Sequence, residues 1–129
     1  MQETMIGLRR LGLTRSQKAL LVRDFLELVP LGEPAALAPF LHPDVRFESS
    51  DCAVATGRDA VLAVWSSVVR RFDSFGLDVV SVVCESDRVL VEQRMLLSLH
   101  PRARAVPLLG FAAFDLRDAQ IVGWRQLSG

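Results

Sequence analysis

The sequence predicts a single α+β domain, a cone-shaped barrel in which three N-terminal helices pack on a strongly curved antiparallel sheet. Apolar residues recur at helical spacing in the first half of the chain, and from Gly76 onward the pattern changes to the alternation of strands. The later strand-like runs are joined by short links, which favour antiparallel hairpins because parallel neighbours need a long crossover. A chain of 129 residues can bury the core of one such domain.

Three helices are expected. Residues 1–13 carry no pattern and are expected to form an N-terminal arm, so the single domain spans 14–129. Thr14 and Gln17 have the spacing of a capping box, which predicts that the first helix begins there. A short second helix is expected from Pro34 to Leu41, and Thr56 offers a hydroxyl cap for an amphipathic third helix. The apolar residues of that helix are Val61, Leu62, Trp65, Val68, Val69 and Phe72.

A four-to-five-stranded sheet is expected to follow from one short strand and four longer ones. The strands are predicted at Val45–Ser49, Leu77–Glu85, Arg88–Leu99, Ala105–Leu116 and Ile121–Leu127. The later strands are apolar on both faces, so both faces need cover, one by the helices and the other by a second subunit.

Alternation divides the run Arg88–Leu99 into two faces. One face, expected to line a cavity, carries Leu90, Glu92, Arg94, Leu96 and Ser98. The opposite face is expected to form a homodimer interface through the outer side of the sheet, with Val91, Gln93, Met95, Leu97 and Leu99.

Charge and cysteine content exclude several classes of partner. Lys+Arg and Asp+Glu number 15 each, so no positive field favours nucleic acid or an anionic membrane. Cys52 and Cys84 lack metal or redox spacing, which indicates a reduced, cytoplasmic protein. No apolar run is long enough for a signal peptide core or a membrane span. The sequence shows no metal-ligand spacing, and neither a metal nor another cofactor is expected.

Two stretches carry a family resemblance. His-Pro-Asp-Val-Arg-Phe follows the helical pair, and Gly-Arg-Asp-Ala opens the third helix. With the element order, they resemble the nuclear transport factor two-like superfamily, which includes SnoaL-like polyketide cyclases, ketosteroid isomerases and limonene epoxide hydrolases. The likeness covers about residues 17–127. Its C-terminal half is most similar to the epoxide hydrolases, with Val91–Leu96 matching their Arg-x-Asp strand and Ile121–Gln126 their Ile-x-x-Trp-Arg-Asp.

The resemblance implies a cavity, but the family's acids are replaced. Arg94 is retained, whereas Leu96 and Gln126 stand where the epoxide hydrolases have two aspartates. Phe47 and Ser49 stand where they have a tyrosine and an asparagine. Because leucine and glutamine cannot exchange a proton at neutral pH, the water-activation mechanism of that family does not carry over.

Two functions remain open. The first is a cofactor-free enzyme of the SnoaL-like cyclase, isomerase or epoxide-opening type, with Glu92 as proton carrier and Arg94 binding developing negative charge. The second is a non-catalytic module, which binds a small molecule or a protein and has lost the acids. A small hydrophobic ligand is expected, with Phe47, Ser49, Trp65, Leu96, Trp124 and Gln126 as substrate-binding residues.

Simpler roles compete with these assignments. Glu92 and Arg94 could form a plain ion pair at a sheet edge or dimer contact, because such pairs are also common outside active sites. Trp124 could be a core residue with one satisfied hydrogen bond. His42 and His100 each precede a proline, and both are expected to be surface turn residues.

Overall fold

A computed structural model describes residues 12–50 and 54–128 of the chain. The described helices are α1 (Arg15–Leu28), α2 (Pro34–Leu37) and α3 (Arg58–Arg70). The described strands are β1 (Leu41–Ser49), β2 (Val54–Thr56), β3 (Ser74–Glu85), β4 (Arg88–Ser98), β5 (Val106–Arg117) and β6 (Gln120–Ser128). Most of the expected N-terminal arm, and Cys52, lie outside the described residues.

The helix starts show where local sequence determines structure. At α1 the predicted capping box is confirmed, because the Gln17 backbone N–H donates to Thr14 Oγ1 over 3.1 Å and the Thr14 N–H donates to Gln17 Oε1 over 2.8 Å. At α3 the N-cap is Gly57, with a positive φ of 95° and no side-chain bond, so the expected Thr56 cap is wrong. The second helix is shorter than expected, because a 3-10 turn, Ala38–Phe40, replaces its end.

Six strands form one curved, mostly antiparallel sheet in the order β2-β1-β6-β5-β4-β3. The three hairpins from β3 to β6 are antiparallel, as the short links predict. The exception is the central pairing of β1 with β6, which is parallel and aligns Phe47 with Trp124 and Ser49 with Gln126. The fold therefore confirms the α+β cone and corrects the all-antiparallel expectation. Because β1 begins at Leu41, His42 lies within a strand, whereas His100 lies in the exposed bend after β4.

Burial along β4 reverses the expected orientation of this strand. Val89, Val91, Gln93 and Met95 are buried on the face that the helices cover, which we call the inner face. Arg94 and Leu96 are exposed on the opposite, outer face, and Glu92 is half-buried there. The inner set is the one without charges, so helix packing selects it and leaves the charged set outside. The expected cavity and dimer faces are therefore exchanged.

Aromatic rings hold the inner face to the helices. Trp124 of β6 lies at the centre, stacked on Trp65 of α3 with ring centroids 4.7 Å apart and an interplanar angle of 4°. Phe25 of α1 meets Trp124 edge-on at 5.1 Å, and Phe47 does so at 5.0 Å. Offset and edge-on ring contacts add to the burial energy. This cluster fixes α1 and α3 relative to the middle of the sheet.

Candidate functional site

A cavity of about 580 Å³ lies between α3 and the inner face of the sheet. This volume falls within the range of small-molecule sites. We call it the inner cavity, and its walls include Phe47, Ser49, Val64, Trp65, Val68, Phe72, Phe75, Met95, Leu97, Leu108 and Gln126. Most of these side chains are apolar, so the cavity suits a ligand with an apolar body.

Four of the residues proposed for substrate binding from the sequence meet in this cavity, namely Phe47, Ser49, Trp65 and Gln126. Trp124 lies behind the wall, since its ring is covered by Trp65 and is only 1% exposed. It contributes to the site indirectly, because its indole N–H donates to Gln126 Oε1 over 3.3 Å. A role of these residues in binding stays a prediction.

The remaining candidates lie elsewhere. Glu92, Arg94 and Leu96 project from the outer face of β4, so the expectation that they line the cavity is wrong. The Glu92 carboxylate accepts a hydrogen bond from Ser81 Oγ over 3.3 Å. The orientation of β4 also places Gln93 and Met95 on the inner face, where the sequence reasoning had expected Arg94 and Leu96.

Buried hydrogen-bonding groups without partners mark the polar part of this interior. Trp65 Nε1 and Gln126 Nε2 have no hydrogen-bond partner among the described residues, although these residues are only 5% and 7% exposed. Gln126 Oε1 is occupied by Trp124, so the amide nitrogen is the end of that side chain without a partner among the described residues. Buried polar groups without partners are rare and costly in native proteins. Both groups are donors.

Gln93, which the sequence predicted at the dimer interface, is an interior residue. It is 0% exposed, and neither atom of its amide has a partner among the described residues. A polar but uncharged residue within an otherwise apolar alternating set, Val89, Val91, Met95 and Leu97, was the available signal. That set lacks charge, and charged residues are the least often fully buried.

We expect the Gln93→Met variant to be more stable than the wild type by about 1–2 kcal/mol. Methionine has a similar length and removes the cost of burying an unpaired amide. Urea denaturation of both proteins, followed by far-UV circular dichroism, measures the difference. Gln126→Met is the matched comparison and should gain less, because it also removes the hydrogen bond from Trp124. An unchanged or lower stability of Gln93→Met would contradict the prediction.

Charges are sparse in the described part of the inner cavity. The described wall includes one ionisable side chain, that of Arg71, which is exposed just beyond the end of α3. The described residues contain no group of three or more His, Cys, Asp and Glu side chains that could hold a metal ion. Within the same ranges, no helix is both long and apolar enough to cross a membrane.

The outer face forms a second feature. A depression of about 650 Å³ lies over β3 to β6, with Glu48 and Ser50 at its edge. Large apolar side chains are exposed on this face, at Val83, Leu90, Leu96, Leu109, Phe111 and Leu127. Strand pairing makes them neighbours, for example Val83 beside Leu90 and Phe111 beside Leu127. They therefore form one patch rather than scattered surface residues.

Comparisons with known proteins agree with this architecture. A putative SnoaL-like polyketide cyclase from Jannaschia sp. CCS1 superimposes with a TM-score of 0.79 at 17% identity, covering 88% of this chain and 86% of that one. A LEH-like epoxide hydrolase from M. tuberculosis gives 0.77 at 17% identity, covering 89% and 84%. A putative ketosteroid isomerase from Kribbella flavida gives 0.75 at 18% identity, covering 89% and 79%. At these identities the likeness concerns the fold alone.

No curated protein matches the chain. The family model of the SnoaL-like domain, however, matches residues 22–124, from the middle of α1 into β6. The matched range includes every described wall residue of the inner cavity except Gln126, and it confirms the resemblance drawn from the sequence. This chain therefore belongs to the SnoaL-like domain family.

Proposed function

We propose that this protein binds a small, largely apolar molecule in the inner cavity. The observation that carries the proposal is the cavity of about 580 Å³, whose described wall combines many apolar side chains with a few polar ones, among them Ser49 and Gln126. A few polar groups in an apolar pocket are typical of small-molecule sites. We expect burial of the ligand's apolar surface to supply most of the affinity.

Binding is favoured over carboxylate catalysis by the orientation of β4. The proton carrier considered from the sequence, Glu92, and its partner Arg94 both lie on the outer face. A general acid or base must come within hydrogen-bond reach of its substrate. Neither residue meets this requirement for a molecule in the inner cavity, so an enzyme based on Glu92 is the less supported function.

A cytoplasmic location remains our prediction from the sequence.

Ligands held by proteins of the same fold support the proposal. A protein with a ketosteroid isomerase-like fold from Catenulispora acidiphila was crystallised in complex with trimethylamine, and it matches this chain with a TM-score of 0.75 at 13% identity. TerC was co-crystallised with polyporic acid and matches with a TM-score of 0.74 at 13% identity. The fold can therefore accommodate small molecules of different chemistry.

Filling the cavity should weaken ligand binding. We expect the Leu108→Trp variant to bind the neutral fluorescent probe N-phenyl-1-naphthylamine at least about tenfold more weakly than the wild type, because the larger ring occupies the space that the probe needs. Leu108 is half-buried and lines the cavity, which makes this change a local one. Titration of probe fluorescence measures the affinity, and circular dichroism verifies folding.

The matched control is Leu20→Trp, which adds the same ring to an exposed position on α1. This variant should bind the probe as the wild type does. Failure of the wild type to bind would refute the proposal. Equal binding by Leu108→Trp would place the probe outside the inner cavity.

We also propose that the protein forms a homodimer through the outer face, with a different residue set from that expected. The exposed patch supports this proposal, because large contiguous apolar patches on soluble proteins mark interaction sites. The same face carries both signs of charge, with Glu92, Arg94, Arg125 and an Arg46–Glu48 ion pair of 3.1 Å. A two-fold interface must be self-complementary, and a face of mixed charge meets this condition.

A further inference from the structure

We infer that the ligand is an amphiphilic anion, whose apolar body lies in the inner cavity and whose negatively charged group pairs with Arg71 at the cavity mouth. This inference rests on the proposed function and names the chemical class of the ligand. It follows from the position and the partners of Arg71, and from the charge of the two chain segments beside it.

Arg71 marks the mouth of the inner cavity. It is the C-cap residue of α3 and lines the cavity, and it is also exposed to solvent. A side chain that borders both the cavity and solvent lies where a bound molecule meets water. The cationic group of Arg71 is therefore within reach of a polar group that emerges from the cavity at this end.

The charge of Arg71 is not neutralised within the described part of the chain. No ion pair or side-chain hydrogen bond between described residues involves it. The preceding residue differs, because Arg70 Nε donates to the Ser66 carbonyl oxygen over 3.2 Å, which directs that side chain back along α3. A guanidinium can bind a carboxylate or a similar anion through two parallel hydrogen bonds. Arg71 is therefore the arginine at this end of α3 that can hold an anion.

The chain segments around the mouth are also positively charged. The Asp73 backbone N–H donates to the Ser98 carbonyl oxygen over 2.7 Å, so the end of α3 lies against the end of β4 and the link that follows it. Residues 70–76 and 99–105 together carry four arginines and one acid, Asp73. An excess of one sign of charge attracts ligands of the opposite sign and repels those of the same sign. The mouth therefore favours an anion over a cation.

The rest of the wall determines the orientation of the ligand. Apart from Arg71, the polar side chains of the described wall are uncharged, among them Ser49, Ser67 and Gln126. An ionised group deep in the cavity would lose its hydration without gaining a buried cation from the described wall, which is costly. At the mouth the same group stays hydrated and gains Arg71. The apolar body of the ligand therefore points inward and its charge points outward.

Two fluorescent probes with one skeleton test this inference. N-phenyl-1-naphthylamine is neutral, and 8-anilino-1-naphthalenesulfonate adds one sulfonate to the same rings. Fluorescence titration gives both affinities. We expect the wild type to bind the sulfonate probe about fivefold more tightly than the neutral probe, the effect of one charge pair near the surface. Raising NaCl from about 0.05 M to about 0.5 M should reduce this preference by at least about twofold, because salt screens exposed charges.

Variants assign the preference to Arg71. Arg71→Gln should bind the sulfonate probe about fivefold more weakly than the wild type, while its affinity for the neutral probe changes by less than about twofold. Arg71→Glu, which reverses the charge, should weaken binding of the sulfonate probe further, and Arg71→Lys should retain most of the preference. The matched control Arg70→Gln removes the same charge one residue away, from a side chain outside the described cavity wall, and should keep the preference.

A purely structural role of Arg71 predicts a different result. A cation near the C-terminal end of a helix stabilises the helix through its dipole. Loss of that interaction would lower the stability of Arg71→Gln in urea but leave the ratio of the two probe affinities unchanged. An unchanged ratio would overturn the inference.

The other outcomes separate this inference from the proposed function. Equal affinity of the wild type for both probes would overturn the inference and leave the apolar cavity intact. Binding of the sulfonate probe that survives in Leu108→Trp would also overturn it, because this probe would then lie outside the inner cavity. If neither probe binds to the wild type, the proposed function fails as well.

Discussion

Replacement of Trp124 by alanine is expected to destabilise the protein by about 3–5 kcal/mol, the usual cost of truncating a large buried aromatic residue. Trp124 is 1% exposed and contacts rings from both helical and strand elements. Phe25, Phe47 and Trp65 lie with ring centroids 5.1, 5.0 and 4.7 Å from it. Alanine would leave a cavity among rings that cannot all move inward, because these rings belong to separate elements, α1, α3 and β1, that are packed in place.

A loss of this size matters because whole domains are stable by only about 5–15 kcal/mol. Urea denaturation followed by circular dichroism measures it, since the remaining tryptophan makes fluorescence a poor common probe. Leu31→Ala, at an exposed position after α1, is the control and should change stability by about 0.5 kcal/mol or less. A loss below about 1 kcal/mol for Trp124→Ala would show that this aromatic cluster does not hold the helices to the sheet.

Much of the fold could be predicted because local patterns determine it. The capping box of Thr14 and Gln17, the proline at the start of α2 and the short links between late strands each act over a few residues. The parallel pairing of β1 with β6 could not be predicted in the same way. These strands are far apart in the sequence, and their pairing depends on how the helices turn the chain back onto the sheet.

The orientation of β4 shows a limit of alternation. A period of two separates Glu92 and Arg94 from Gln93 and Met95, but it does not say which set faces the helices. The sequence predicted that Glu92 and Arg94 line the cavity, because the family resemblance placed Arg94 there. Solvation favours the opposite orientation, since exposing two charges costs less than burying them, while one buried amide is tolerated.

The site itself was predicted in part. Phe47, Ser49 and Gln126 could be predicted from the sequence because the family resemblance aligns the strands that carry them, β1 and β6. The opposite wall, on α3, could not be predicted, because residues such as Val64 and Val68 have the spacing of ordinary core residues in an amphipathic helix. Whether such positions pack tightly or border a cavity depends on the distance between α3 and the sheet, which no local pattern encodes.

The second large effect is expected on the outer face, where the Phe111→Glu variant should dissociate the proposed homodimer. Phe111 is 50% exposed and lies between Glu92 of β4 and Leu127 of β6 in the strand pairing. A two-fold interface applies the change to both subunits, so two carboxylates enter an apolar contact that already contains Glu92. We expect the dimer dissociation constant to rise at least about 30-fold, the loss typical of a central aromatic contact.

Sedimentation velocity over a concentration series measures this change, and Leu20→Glu is the matched control. Leu20 is 57% exposed on α1, so the same carboxylate is added to an apolar surface position outside the outer face. The control should remain dimeric, because a general effect of added charge would act on both variants. Retention of the dimer by Phe111→Glu would assign the interface to another surface, and a monomeric wild type at micromolar concentration would refute the dimer. Binding of N-phenyl-1-naphthylamine should survive in Phe111→Glu, because the inner cavity and the outer face lie on opposite sides of the sheet.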